Sequence, residues 1–407
     1  MTDPKTIPTF DDNHSKVSGY RTTGLSRRGF LQGLGVTGAA AAGSSLLAAC
    51  GGDSGGSDGA SGGDGGDSTT LRVANWPLYI DEIKHDNQAP GTTMAGFIDE
   101  TGVEVTYSEV INDNEEYFAK IRPSLAAGKD VGADLFILTD WMASNLINLG
   151  WLETLDKKNI PNFKNLAATL QSPSFDPERE YSIPWQSGVT GIAYDESLTD
   201  PITTINDLLT NPELSGAVTA LKEMRDTMGL ILLDLGYDPA DFTAEEWGSA
   251  IEALQSAKDS GQIRQFTGNN YAQLLAKGDI KACMAWSGDI IQLQFDNPNI
   301  KFVIPDAGGM LWSDNMLIPN GSAAKANAEA WMDYYYDPAV AAKLVAWVNY
   351  ICPVDGAQEE MRKIDKDLAE NPLIFPTPED YEQLHIFRGL SDDEQTQFSQ
   401  DFLNITV

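Results

Sequence analysis

Aromatic rings gather where strands are expected to stop, and twice a carboxylate stands beside them. Leu71-Arg-Val-Ala-Asn-Trp-Pro-Leu-Tyr79 alternates over its first six residues with the period of a strand. Pro77 has no N–H to donate and ends the ladder, leaving Trp76 and Tyr79 on an irregular turn at the strand's carboxyl end. Open α/β sheets collect ligands at that edge. The continuous apolar run Ala133-Asp-Leu-Phe-Ile-Leu-Thr139 empties into Asp140-Trp141, and the strand expected over 280–286 empties into Trp286-Ser-Gly-Asp289. Desolvated carboxylates make charge-assisted hydrogen bonds to ammonium groups, while aromatic faces contact CH₂ groups and attract cations. These residue types suit an organic cation. Each also has a plainer use: Trp76, Trp141 and Trp286 as core aromatics, and Asp289 as the cap of a helix through Ile290 and Ile291.

The elements that must position these residues alternate along the chain. Helical spacing covers 92–100, stopped by Gly102, then a strand at 103–110 and a helix at 114–125 with Pro123 near its end. The apolar run ending at Thr139 is followed by a helix over 142–149, closed by Gly150. Segments 181–185 and 189–194 read as extended pieces running between two lobes. A second α/β unit has strands at 218–221 and 280–286 and helices at 224–235 and 244–257. Short strands at 300–305 and 315–319 flank the loop from Gly308 to Asp314, and helices over 323–336 and 338–350 follow. The 337 residues from Leu71 onward exceed one comfortable core, which favours two α/β lobes with more than one chain crossing.

Composition excludes several classes. The chain carries 27 Lys/Arg and 60 Asp/Glu. The first 49 residues hold five and three of these, leaving 22 and 57 beyond them and a net charge of −35. Such a body repels nucleic acid and anionic lipid at long range. Beyond residue 50 the only histidines are His85 and His385, and the only cysteines Cys283 and Cys352, which leaves no metal-ligand spacing. No Gly-x-Ser-x-Gly elbow or Cys/His pairing suggests a nucleophile.

The N-terminal stretch reads as delivery. Ser26-Arg27-Arg28-Gly29-Phe30-Leu31 leads into an Ala- and Gly-rich apolar run that ends at Leu47-Ala48-Ala49-Cys50. Paired arginines before a modest apolar stretch are the twin-arginine export signal, and Leu-Ala-Ala-Cys resembles a bacterial lipobox that lipidates Cys50. An uncleaved signal anchor is the alternative. Residues 1–49 are thus expected to be a signal peptide, and 50–70 a lipidated Cys with a Gly/Ser/Asp tether reaching roughly 25 Å.

From Leu71 to about Gln397 the chain resembles the polyamine-binding subfamily of extracytoplasmic solute-binding proteins, the spermidine/putrescine receptors of ABC importers. The resemblance rests on ordered motifs: Asn75-Trp76-x-x-Tyr79, Asn162-Phe163-x-Asn165-Leu166, Phe175-Asp176-Pro177, Tyr181-Ser182-Ile183-Pro184, Met284-Ala285-Trp286-Ser287-Gly288-Asp289 and Trp312-Ser313-Asp314. It implies an α/β, two-lobed periplasmic-binding-protein fold, type II-like, with a hinge and a ligand cleft between lobes. Lobe 1 would be 71–191 with 288–320, and lobe 2 195–286 with 322–407. By position it implies Trp76, Tyr79 and Trp286 as wall aromatics, Thr139 and Trp141 as a second loop, and Asp289 and Asp314 as ammonium acceptors. Glu223 and Asp226 stand where the family places further acids, although Arg225 between them departs from its pattern. The resemblance further implies a non-enzymatic monomer without cofactor that delivers a polyamine to a membrane permease. Reference carboxylate pKa values near 4 would make such binding steady around neutral pH. Rival readings are the same fold with another solute (sugar, amino compound or ferric iron), a secreted enzyme, or an adhesion protein.

Overall fold

The structure is a computed structural model and describes residues 69–407. The arginine pair, Cys50 and the tether up to residue 68 lie outside the described residues. Thr70, expected at the end of the tether, instead opens the first strand.

Among the described residues ten strands form one mixed sheet. They are β1 Thr70–Asn75, β2 Glu104–Glu109, β3 Leu135–Thr139, β4 Ser182–Asp195, β5 Val218–Leu221, β6 Ile263–Thr267, β7 Ala282–Trp286, β8 Ile300–Val303, β9 Gly309–Leu317 and β10 Leu384–His385. Their order is β2-β1-β3-β9-β4-β7-β5-β6, with β10 on β9 and β8 on β4. β1 runs parallel to β2 and β3, and β5 parallel to β6 and β7. β9 and β4 are inserted antiparallel between these two groups and join them.

β4 is the crossing strand. Ser182–Thr190 pairs with β9, and Thr190–Tyr194 pairs with β7. All 14 of its residues are buried, since it is covered on both faces. Pro184 has no N–H for the ladder, and the register shifts between Pro184 and Gln186, while the Tyr336 hydroxyl donates to the Pro184 carbonyl at 2.8 Å. At Gly188 a Cβ would stand 2.4 Å from Cζ2 of Trp312, so only glycine lets that ring lie against the strand. These two turn-prone residues make one strand look like the two segments expected at 181–185 and 189–194.

The expected helices form. Thr92 caps Thr93–Thr101 and Gly102, at φ 71°, ends it. Asn114–Ala126, Asp140–Asn148, Met224–Asp234, Ala244–Asp259, Lys325–Tyr335 and Pro338–Val348 follow the apolar spacing. Other expectations are corrected. Residues 308–314 are not a loop, because Gly309–Leu317 is a single strand held on both sides by β3 and β4. Thr139 and Trp141 likewise share no loop: β3 ends at Thr139 and a helix starts at Asp140. Beyond the expected helices, Asp392–Thr406 forms a further helix with a Ser391/Glu394 capping box.

Side-chain packing relates the later helices to the two strand groups. In the helix Lys325–Tyr335, Trp331 packs on Phe97 (ring centroids 5.1 Å) and on Trp185 (6.2 Å), so this stretch stands with β1 rather than with the second group. The helix Ser287–Gln294, expected in lobe 1, packs beside β8, with Gln294 Nε2 donating to the Ile300 carbonyl at 3.1 Å. The C-terminal helix stays with the second group through Phe398 on Trp247, at 4.3 Å. Cys283 and Cys352 are buried free thiols.

Trp185 locks the crossing: it is fully buried, lies 4.4 Å from the Tyr335 ring and donates to the Tyr79 carbonyl at 3.3 Å. Trp185→Ala is expected to cost about 3–5 kcal/mol in denaturant unfolding. A loss under about 1 kcal/mol would show that the crossing does not depend on this packing.

Candidate functional site

The carboxyl ends of β1, β3, β5 and β7 meet around a cavity of about 890 Å³. All nine residues singled out from the sequence line it: Trp76, Tyr79, Thr139, Trp141, Glu223, Asp226, Trp286, Asp289 and Asp314.

Asp314 sits at its floor, in register with Thr139 of β3 on one side and Gln186 of β4 on the other. The Thr139 hydroxyl donates to its Oδ1 at 2.7 Å and the Tyr79 hydroxyl to its Oδ2 at 2.9 Å. Thr139 is itself fixed by Asn114, whose Nδ2 donates to Oγ1 at 2.9 Å and whose Oδ1 accepts the Thr139 N–H at 3.1 Å. Burial pushes the Asp314 carboxyl up to about 7, against the pull of its two donors, with the charges of Asp140 and Asp226 adding to the rise. Burial also lifts the Tyr79 hydroxyl well above its usual range, so it stays a donor.

Two further acids are held the same way. Trp286, the last residue of β7, donates its indole N–H to Asp226 Oδ2 at 2.8 Å. Asp289 lies in the first turn of the helix Ser287–Gln294, whose N-terminal cap position is Trp286; Asp289 is therefore not the cap. Its Oδ2 accepts from the Tyr271 hydroxyl at 2.7 Å and its Oδ1 from the Tyr350 hydroxyl at 2.8 Å. Gly288 makes this possible, since a Cβ there would fall 2.5 Å from the Tyr350 ring. Burial raises both carboxyls above their ordinary values. All three acids thus receive neutral donors from the protein and keep further lone pairs.

The aromatics make a continuous wall. Trp76, Trp141, Trp286 and Trp312 are each half-buried, presenting part of their surface to the cavity. Trp286 and Trp312 meet edge to face at 6.5 Å, Trp312 lies 5.5 Å from Tyr350, and Tyr350 lies 5.4 Å from Tyr79. The indole N–H of Trp312 donates to Thr190 of β4 at 3.0 Å.

Glu223 and Asp226 flank the start of the helix Met224–Asp234, and they are not exposed acids on a helix end. Asp226 is buried, and Glu223 is partly buried with its pKa raised by burial and by the charges of Asp113 and Asp226. Between them Arg225 is buried against Trp141, its Cζ 3.8 Å from the ring centroid.

Several lining residues escaped sequence reasoning. Asn269 lines the cavity just before a helix, Tyr271–Lys277, that no periodicity marked; Tyr271, which opens that helix, is fully buried and holds Asp289. Tyr350 reads as a helix end, and only the left-handed Asn349 before it, at φ 61°, betrays the turn that aims it inward. Phe387, Phe402 and Leu403 come from the C-terminal segment, in which no element is expected from the sequence. Among the described residues no three His, Cys, Asp or Glu side chains are grouped to hold a metal ion, and no helix is long and apolar enough to cross a membrane.

Residues 92–377 match the family model of the bacterial extracellular solute-binding proteins. The spermidine/putrescine-binding periplasmic protein of Escherichia coli (strain K12) is 26% identical over 315 residues, covering 77% of this chain and 85% of that protein. The putrescine-binding periplasmic protein PotF of the same organism is 28% identical over 330 residues, covering 76% and 84%. Among solved structures, the spermidine/putrescine ABC transporter substrate-binding protein PotD of Streptococcus pneumoniae superposes with a TM-score of 0.67 at 23% identity, over 83% of this chain and 98% of that one. The Tp0655 (TpPotD) lipoprotein of Treponema pallidum superposes with a TM-score of 0.70 at 20% identity, over 83% and 99%. The expected two-lobed α/β binding-protein fold is therefore the fold found, and these relatives are solute-binding transport proteins, not enzymes. With the match spanning well over half its length, the chain belongs to the bacterial extracellular solute-binding proteins.

Proposed function

We propose that this protein captures a polyamine, putrescine or spermidine, between its two lobes and delivers it to the membrane permease of an ABC transporter. In this reading it leaves the cell by the twin-arginine route, is anchored to the outer face of the membrane through lipidated Cys50, and works as a monomer. β4 and β9, the two strands shared by both groups, form the hinge. The observation that carries the reading is the set of three carboxylates, the buried Asp226 and Asp314 and the half-buried Asp289, facing one cavity walled by half-buried indoles. A polyamine alternates ammonium groups with short apolar spacers. Carboxylates drawn out of water supply strong charge-assisted acceptors, and Trp76 and Trp286 supply faces for the CH₂ groups, while the Trp141 ring carries the Arg225 guanidinium. The names of the curated relatives support the same solute class. The acidic body adds long-range attraction for a cation.

Removing one acceptor charge should be expensive. Asp314→Asn and Asp289→Asn should each weaken putrescine binding by roughly tenfold or more, because hydrogen bonds to charged groups contribute about 1.5–3 kcal/mol. Asp393→Asn, on the exposed side of the C-terminal helix, should leave it unchanged. Calorimetric titrations in which all three variants match the parent would reject the assignment.

The pH dependence differs from what reference pKa values imply. In the free protein the Asp314 carboxyl titrates near 7, and a bound ammonium lowers that value. Below about pH 7 binding must therefore release a proton, so affinity should rise with pH by up to about tenfold per unit per proton, then level off. The amines stay protonated throughout this window. Titrations from about pH 5 to 8 check the slope; a flat profile would mean that Asp314 is already ionised in the free site.

A further inference from the structure

We propose that Arg225 is a resident cation that fills the far end of the cleft and limits its ligand to a short diamine. This rests on the polyamine reading and adds a size limit to it. Arg225 comes from the helix Met224–Asp234, behind β5, whereas Trp141 comes from the helix that follows β3. Their contact therefore spans the two strand groups. The guanidinium carbon lies 3.8 Å from the Trp141 ring centroid and 5.9 Å from that of Phe387, so two aromatic rings from distant segments are within reach of the arginine's charge. A cation at that distance uses the same face of the indole that a ligand's ammonium or methylene would use.

The arginine is held from behind rather than by an acid. Its Nη2 donates to Gln395 Oε1 of the C-terminal helix, while Nε and Nη1 are buried without a partner. Gln395 in turn donates to Ser399 Oγ at 2.7 Å and to Glu115 Oε1 at 3.4 Å, the last a contact to the first strand group's own helix Asn114–Ala126. The charges of Glu223, Glu115 and Asp226 stabilise the guanidinium against its burial, and in doing so they are offset. The negative field that would draw an ammonium to this end is thus met by the protein itself, and a second cation there would face repulsion in a site of low dielectric. Asp314 and Asp289, the two acids whose charge Arg225 does not offset, remain for the ligand with Trp76, Trp286 and Trp312. That set suits two ammonium groups on one short spacer. The third ammonium of a triamine would be driven toward Arg225.

Titration calorimetry on the protein beyond residue 50 with putrescine and with spermidine tests this. The parent should prefer putrescine by about tenfold or more, and Arg225→Met, which keeps the apolar stem, should shift the ratio toward spermidine by about tenfold or more. Arg225→Lys keeps a cation and should keep most of the preference. Gln395→Leu, which leaves Arg225 in place but frees its Nη2, should shift the ratio in the same direction by less, and it serves if Arg225→Met fails to melt cooperatively. An unchanged ratio in both variants, or a parent that prefers spermidine, overturns the role of Arg225 and leaves the polyamine reading intact. Folded parent protein that binds neither amine rejects that reading and this one with it. Tighter binding of an ω-amino acid than of the diamine, abolished by Arg225→Met, would instead make Arg225 a carboxylate partner and overturn the proposal.

Discussion

Burying a carboxyl group is costly unless something compensates its charge. Here Asp314 is buried and Asp289 half-buried, and both are held by neutral hydroxyl donors, Tyr271 and Tyr350 for Asp289, Tyr79 and Thr139 for Asp314. Those donors fix where the oxygens point, but they do not supply a full positive charge. The consequence is visible in Asp314, whose carboxyl is lifted to about 7 in spite of two hydrogen bonds. Such a site is tensioned toward any cation that fits. The rest of the molecule can be understood as the frame that keeps these acids buried, oriented and still reachable from one cavity.

That frame is the crossing of β4 and β9 between two parallel strand groups. β9 carries Asp314 at the point where it is flanked by Thr139 and Gln186, and Trp312 two residues earlier on the same face. β4 carries Thr190, which stands opposite both Trp286 and Met310 and accepts from Trp312. A shift of one residue in either register would turn Asp314 away from its donors. Gly188 and Gly288 then admit the rings of Trp312 and Tyr350 at distances no side chain would allow. Site geometry and fold register are therefore one constraint, and substitutions at the crossing should be felt in both.

Much of this was legible in the sequence, for physical reasons. β1, β3 and β7 announce themselves through alternation or apolar runs, so the aromatics at their ends could be placed at a sheet edge before any coordinates. All nine predicted side chains do line one cavity. What stayed hidden depends on tertiary context. Pro184 and Gly188 disguise β4, and Gly308 and Gly309 disguise the start of β9. Tyr271 and Tyr350 become oriented only through Asp289, 18 and 61 residues away. The central motifs that carry the resemblance divide between frame and lining, and of these Phe175 lines the cavity. Asn165 donates to the Tyr336 carbonyl and Asp176 accepts from the Ser182 backbone, so these central residues brace the fold and lie outside the cavity lining.

In the proposed function the Asp314 carboxyl, which burial pushes up to about 7, exchanges its proton for a ligand's ammonium. Carbon-13 chemical shifts of its carboxyl carbon, followed against pH with and without putrescine, measure this directly. The free protein should show an inflection near 7, and with saturating putrescine the inflection should leave the neutral range toward acid. An unchanged inflection in a protein that binds the diamine would place the ammonium elsewhere and rule out Asp314 as its acceptor.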